Sequence, residues 1–323
     1  MKGAADRRGE APATRQVSRG ILEAAHSLSV DLVTTEVVAA LLDHGVHSIL
    51  LKGPAIASWL YRNGDHRPYG DCDLLVSPDQ KIPAQEVLVS LGFRYGYESL
   101  GPGALEEGLF WTRGLDTVDL HTNIHGIGVD DARTWAVLSS EYVERGTVGG
   151  REVDVLNPAA RAMHIALHAA QHGRRELTPM ADLARAVEVL PFEMWRQSAE
   201  LAMRLDAAAT FATGLALVPA GEAIVERLGI EKDNSVRALL LADTAPTVAF
   251  TLEDLRRTRG AVAKARFVGR KTFPTSEHMR LYYGVARRGR GGLALSYCQR
   301  IVGKLGKVVP GLIAWGAARR ASR

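Results

Sequence analysis

The sequence predicts an α+β chain: a mixed β-sheet with helices packed on it, followed by an all-helical C-terminal region. Three observations predict this. Up to about residue 156, short apolar runs of strand type interleave with segments of helical period. From Asn157-Pro158 to about 255 the apolar period is almost wholly helical. The length, 323 residues, exceeds one ordinary domain, so about two cores are expected.

Residues 1–18 combine Gly, Pro, Ala and charge without an apolar period and read as a flexible arm. A first helix is expected over 19–29. A second, N-capped by Thr34 or Thr35, runs through Val37, Val38, Leu41 and Leu42 to the stop at Asp43-His44-Gly45. Val46 to Leu51, bounded by Gly45 and Gly53, reads as a buried strand. Helical spacing resumes over 54–62, with Pro54 at a tolerated first-turn position. A loop from Asn63 to Gly70 then delivers the chain into a strand over 71–76. Ser77-Pro78-Asp79 caps a helix that runs to Leu91 and ends at Gly92, and two further strands follow near 107–112 and 116–122. In the helical half, Gly221, Gly229 and Pro246 are the expected breaks. The expected division is therefore an arm (1–18), an α+β domain (19–156), a helical domain completing its cleft (157–255) and a basic helical segment (256–323).

Apolar residues make up 46 % and charged residues 24 %, near the average for folded chains, which excludes disorder as the main state. Cys72 and Cys298 lie far apart without a CxxC partner, so a disulfide framework and a zinc ribbon are both excluded. A reducing cytoplasm is the expected location. The charged N-terminus lacks the apolar stretch of a secretory signal, and there is no uncharged apolar run of about 18 residues, so no membrane span is expected. Charge is uneven along the chain. Residues 256–323 hold 17 Lys and Arg against one acidic residue, Glu277, leaving 23 basic and 35 acidic residues in the first 255. The body is thus net −12 and the tail net +16.

The chemistry is concentrated in two segments. In Asp71-Cys72-Asp73-Leu74-Leu75-Val76, a strand points Asp71 and Asp73 to one face, with Cα atoms roughly 6.6 Å apart at about 3.3 Å per residue, and Cys72 to the other. In Thr117-Val118-Asp119-Leu120-His121, Asp119 and His121 share a face in the same way. If the two strands are neighbours, Asp119 becomes a third carboxylate beside the first two. Three clustered carboxylates repel and take up protons unless divalent cations neutralise them. Such a site suits phosphoryl or nucleotidyl transfer. Lys52 and Gly53, between the preceding strand and helix, suit phosphates: glycine lets the backbone approach and lysine adds a point charge.

Leu50-Leu51-Lys52-Gly53-Pro54-Ala55, Arg67, Asp71 to Val76 and Val118-Asp119-Leu120-His121 together resemble the uncharacterised nucleotidyltransferase family of the DNA polymerase β-like superfamily. The resemblance covers roughly residues 35–280, with weaker matches from His164 to Asp182, at Phe273-Pro274 and at Met279-Arg280. It implies a minimal nucleotidyltransferase core, two Mg²⁺ ions (or Mn²⁺) and transfer of NMP from an NTP such as ATP to an acceptor hydroxyl. It further implies Asp71, Asp73 and Asp119 as metal ligands and catalytic carboxylates. Lys52-Gly53 stands where the superfamily usually has Gly-Ser, and no Ser follows Gly53. The acceptor, whether small molecule, peptide or protein, has no motif here.

Other residues carry alternatives. Arg67 either holds a triphosphate or forms a loop ion pair, and His121 either touches a phosphate, supports Asp119 or packs at the sheet edge. Cys72 is expected in the core. His164, His168 and His172, at i, i+4 and i+8, form one helical face expected to look into the cleft, with zinc as the weaker reading. Asp182 is expected to cap or to pair with Arg175 or Arg185. In the basic tail, Tyr282, Tyr283, Tyr297 and Trp315 accompany the cations, and Leu293, Tyr297, Ile301 and Leu305 have amphipathic spacing. That segment could bind nucleic acid, an acidic peptide, an anionic membrane surface or the acidic body of the chain, or be a solvated face. A nucleotide-binding protein without catalysis, or a nucleic-acid-modifying transferase, are the rival functions.

Overall fold

The computed structural model describes residues 19–61, 67–95 and 109–323; the expected arm (1–18), the last residue of the expected helix (62) and parts of the expected loop (63–66) and strand (107–108) lie outside them. The α+β half contains α1 (Arg19–Asp43), β1 (Ser48–Leu50), α2 (Pro54–Leu60), β2 (Cys72–Val76), α3 (Lys81–Ser90), β3 (Arg94–Tyr95), β4 (Leu109–Arg113), β5 (Asp116–His121), α4 (Asp131–Glu141), β6 (Val143–Val148) and β7 (Arg151–Leu156). Helices follow: α5 (Pro158–His172), α6 (Leu177–Val189), α7 (Phe192–Arg204), α8 (Ala208–Leu215), α9 (Pro219–Leu228), α10 (Val236–Ala242) and α11 (Thr247–Arg257). The chain ends in α12 (Ala261–Thr272), α13 (Ser276–Tyr282), α14 (Gly289–Leu305) and α15 (Val308–Ala321).

The seven strands form one mixed sheet in the order β3-β4-β5-β2-β1-β7-β6. At its centre β2 runs antiparallel to β1 and parallel to β5, with Asp73 opposite Asp119 and Leu75 opposite His121. Strand alternation divides the core. Cys72, Leu74 and Val76 of β2, with Val118 and Leu120 of β5, pack against Val33, Val37 and Leu41 of α1 and Val87 and Leu88 of α3. On the opposite face Leu75 joins a larger core with α4 to α9, in which Trp195 and Phe211 are fully buried. Each such side chain contributes about 1.5–3 kcal/mol. Asp73 therefore emerges on the α5 side, as do Asp119 and His121.

Several expectations are corrected. Residues 19–43 form one helix rather than two, because Thr34 and Thr35 are buried within it and the Thr35 hydroxyl donates to the Leu32 carbonyl (2.9 Å) instead of capping a new start. Gly221 lies inside α9, whereas Gly229 closes that helix in a left-handed C-cap and Pro246 sits at the N-cap of α11. The β6–β7 hairpin, β3 and α4 were not foreseen. The hairpin did have a signal: Gly149 and Gly150 adopt φ of 54° and 79°, the paired positive values of a tight two-residue turn. At the start of the helical half, Pro158 follows an Asn157 N-cap whose side chain accepts from Ala160 N–H.

Candidate active site

The site is assembled by the β2–β5 register. Placing Asp73 opposite Asp119 brings the two carboxylates together, and His121, two residues along the same face, reaches both. Its Nε2 lies 3.2 Å from Asp73 Oδ1 and 3.4 Å from Asp119 Oδ2. Lys52, immediately beyond β1, places Nζ 2.7 Å from the same Asp73 Oδ1. Asp73 is 1 % exposed and Lys52 only 17 %, so this is a largely buried pair. Gly53 turns the chain from β1 into α2 with φ 57°, and a Cβ there would meet the Asp71 carbonyl oxygen at 3.4 Å. Glycine thus lets this turn lie against the strand that carries the carboxylates.

The charges set one another's ionisation. Burial works to raise the Asp73 pKa, but the Lys52 ammonium and His121 outweigh it and hold the carboxyl well below its usual range. Asp71 is pushed up to about 6, first by the like charge of Asp73 and then by burial. Asp119 is raised by burial, partly offset by His121. Burial would lower His121, but its hydrogen bond to Asp73 and the charge of Asp119 raise it. His121 thus reaches both carboxylates, while the Lys52 ammonium meets Asp73 from another side.

Among the described residues, Asp73, Asp119 and His121 are the one group of three able to hold a metal, with ligand atoms all within 4.8 Å of one another. They fit a divalent ion on a further observation: Asp73 Oδ2 and Asp119 Oδ1 are buried without a hydrogen-bond partner. Two carboxylate oxygens and one imidazole nitrogen suit Mg²⁺ or Mn²⁺, with the nitrogen favouring the latter. Of the expected ligands Asp71, Asp73 and Asp119, this group contains the last two. Asp71 precedes β2 rather than lying in it and is outside this group, though close enough to sense Asp73, Lys52 and Asp119. Of the three readings of His121, the contact with Asp119 is the one the structure contains, with Asp73 added to it.

Arg67 is committed elsewhere. Its Nε and Nη2 donate to Asp182 Oδ1 and Oδ2, each at 2.7 Å, and Tyr61 donates to Oδ1 at 2.9 Å. Arg67 and Asp182 are 6 % and 1 % exposed, so a buried, bidentate pair locks the segment before β2 to α6. Of its two readings, the ion pair is the one the structure contains, and Asp182 pairs with Arg67 rather than with Arg175 or Arg185.

The α5 histidines lie beneath the site. His164 lies close to Leu51, next to Lys52, and leaves Nδ1 buried without a partner. Its ring is 6.1 Å from that of His168, which in turn makes an edge contact with His172 at 4.6 Å. Burial, and then the Lys52 charge, lower all three, His164 to about 3. They form a neutral row on the site face. Cys72, on the other face, is buried and pushed up to about 12, which makes it an inert core residue.

A family model described as uncharacterised nucleotidyltransferase matches residues 15–220, which is more than half of the chain and includes every residue of this site. The chain belongs to that family. The match begins before and ends well before the expected 35–280, so Phe273-Pro274 and Met279-Arg280 fall outside it. No curated protein matches this nucleotidyltransferase. Solved structures similar to it include the solution structure of the antibiotic-resistance factor ANT(2'')-Ia, at 19 % identity and TM-score 0.42, covering 56 % of this chain and 95 % of that one. A crystal structure of ANT(2'')-Ia with adenylyl-2''-tobramycin follows, at 17 % identity and TM-score 0.35, covering 62 % and 98 %. An antigenic nucleotidyltransferase-like protein from Paracoccidioides brasiliensis matches at 16 % and 0.33, covering 58 % and 92 %. With identities and TM-scores this low, the functional reading rests on the family and on the site.

Proposed function

We propose that this nucleotidyltransferase is metal-dependent and moves an NMP from an NTP to a hydroxyl of a small-molecule, peptide or protein acceptor that meets the site at Asp119. The observation that carries the reading is the pair of buried, unpartnered carboxylate oxygens on Asp73 and Asp119, aligned by strand register with His121 between them. Asp73, Asp119 and His121 would hold the divalent cation, and Asp71 would add a carboxylate once a cation offsets the repulsion from Asp73. Bound there, Mg²⁺ or Mn²⁺ supplies charge neutralisation for the triphosphate and for the leaving pyrophosphate.

The remaining work belongs to the chain. Lys52 balances the carboxylates and, with Gly53, borders the position of the phosphates. Asp119, half-open to solvent at 24 % exposure and raised by burial, orients the acceptor hydroxyl and accepts its proton. The Arg67–Asp182–Tyr61 cluster holds the segment before Asp71 in place. The neutral histidine row offers hydrogen bonds to the acceptor without adding charge.

Incubation with Mg²⁺ and each NTP labelled at the α-phosphate, across a panel of polyhydroxyl acceptors, tests this. Label transfer with pyrophosphate release is expected from the wild type. In Asp119→Ala, turnover is expected to vanish while most NTP binding remains. Full activity in that variant would remove the role given to Asp119.

A further inference from the structure

The basic tail ends in an elbow whose outer surface is apolar. α14 turns Leu293, Tyr297 and Ile301 half inward, but a second stripe faces solvent. Leu295, Val302, Leu305 and Val309 are 52 %, 68 %, 63 % and 64 % exposed, and Leu312 and Ile313 extend the stripe onto α15 at 45 % and 66 %. The spacing of three, four and seven residues puts them on one side of consecutive turns. The two helices meet at an angle of 47° around Gly306-Lys307, with Pro310 also exposed. α15 is anchored from behind: Ala318 packs with Val236, Leu240 and Ala249, and Trp315 Nε1 donates to Glu253 at 3.1 Å.

Cations surround this stripe. Lys304 Nζ donates to the Lys271 carbonyl at 3.0 Å and lies close to Arg300, while Lys307 is exposed at the elbow itself. The whole segment carries 17 basic residues and one acidic residue. The two rings carried by α14 and α15, Tyr297 and Trp315, are otherwise engaged. Tyr297 donates to the Pro274 carbonyl and packs on Phe273, and Trp315 is held by Glu253 and stacked under Arg319 at 4.9 Å. The side chains left exposed at the elbow are aliphatic, which can enter acyl chains but cannot stack on bases.

We propose that the α14–α15 elbow is a docking surface for an anionic lipid bilayer, seating its aliphatic stripe at the acyl boundary while the flanking cations meet headgroup phosphates. It would lie in the interface rather than cross it. α14 and α15 reach the length and apolarity of a span only when taken together, and they are bent. The surface lies beyond the family match, which ends at residue 220, and shares no residue with the carboxylate site.

Flotation of the full-length protein at low salt tests the surface, with vesicles of phosphatidylcholine and phosphatidylglycerol in equal parts against phosphatidylcholine alone. The protein should float with the anionic vesicles only. A polarity-sensitive fluorophore on Cys298, the exposed thiol on the same stripe, should shift to the blue on binding. The triple variant Val302→Ser, Leu305→Ser, Val309→Ser should lose at least about ten-fold in partitioning, and Lys307→Glu about five-fold or more. Circular dichroism checks that both remain folded; should the triple variant unfold, Lys307→Glu and the Cys298 probe still decide. No flotation with anionic vesicles overturns the proposal. So does flotation that both variants leave unchanged, and so does retention of single-stranded RNA in place of vesicles.

Discussion

Around Asp73, carboxylates, an ammonium and an imidazole are packed within hydrogen-bonding distance in a largely buried pocket of charge, whereas residues 256–323 spread 17 cations over exposed helices with a single acidic residue. In the pocket each group's ionisation depends on its neighbours: Asp73 falls, Asp71 and Asp119 rise. Most tail cations, by contrast, face water and are weakly coupled. The difference teaches where a single substitution matters. Removing one buried charge uncovers another in low dielectric, while removing one exposed charge changes mainly the long-range field.

Asp73→Asn should break the pocket most severely. It strips Lys52 and His121 of their shared partner, and nucleotidyl transfer should fall by at least about a hundred-fold in a labelled-NTP assay. Near-normal turnover would mean that the register-matched carboxylates do not act together. Asp182→Asn tests the same principle away from the proposed chemistry. Leaving Arg67 buried without its carboxylate should cost about 3–5 kcal/mol in urea unfolding, because an uncompensated charge remains.

Smaller effects sharpen the tail. Glu253, 2 % exposed, is lowered to about 2, chiefly by its hydrogen bond to Arg256, with Trp315 and Arg257 adding to it against burial. A folded-state pKa below the ordinary 4.5 means that the carboxylate stabilises the fold above about 4.5. That contribution should be lost as pH falls from there toward 2, and the seating of Trp315 should loosen over this window, readable as a change in its fluorescence. At the small end, Leu305→Ser should alter unfolding stability by no more than about 0.5 kcal/mol, since its side chain is 63 % exposed. A large loss in thermal denaturation would show that the elbow is structural.

The contrast also governs what could be read before the fold was seen. Asp73, Asp119 and Lys52 were legible because strand alternation and a strand–glycine–helix turn are local patterns. The place of His121 beside Asp119 was legible in the same way, but its contact with Asp73 was not, since it depends on the register of β2 against β5. Arg67 and Asp182 are 115 residues apart, and no local pattern joins them. The β6–β7 hairpin was hidden because exposed, charged positions such as Arg145, Arg151 and Glu152 fall next to one another and mask the alternation of a strand pair at the sheet edge. The tail's charge was plain in the sequence. Which of its apolar residues face outward was not, because α14 has apolar side chains on two sides, and Leu305, expected on the inward stripe, belongs to the outer one.

The central claim is that Asp73, Asp119 and His121 hold a divalent cation, and it can be tested without knowing the acceptor. Titration of Mn²⁺ into the purified protein with ATP, followed by the electron paramagnetic resonance signal of the free ion, measures the site directly. The account predicts loss of the free-ion signal in the wild type beyond what ATP alone removes, and recovery of that signal in Asp73→Asn and Asp119→Ala. Equal binding by the wild type and both variants would contradict it.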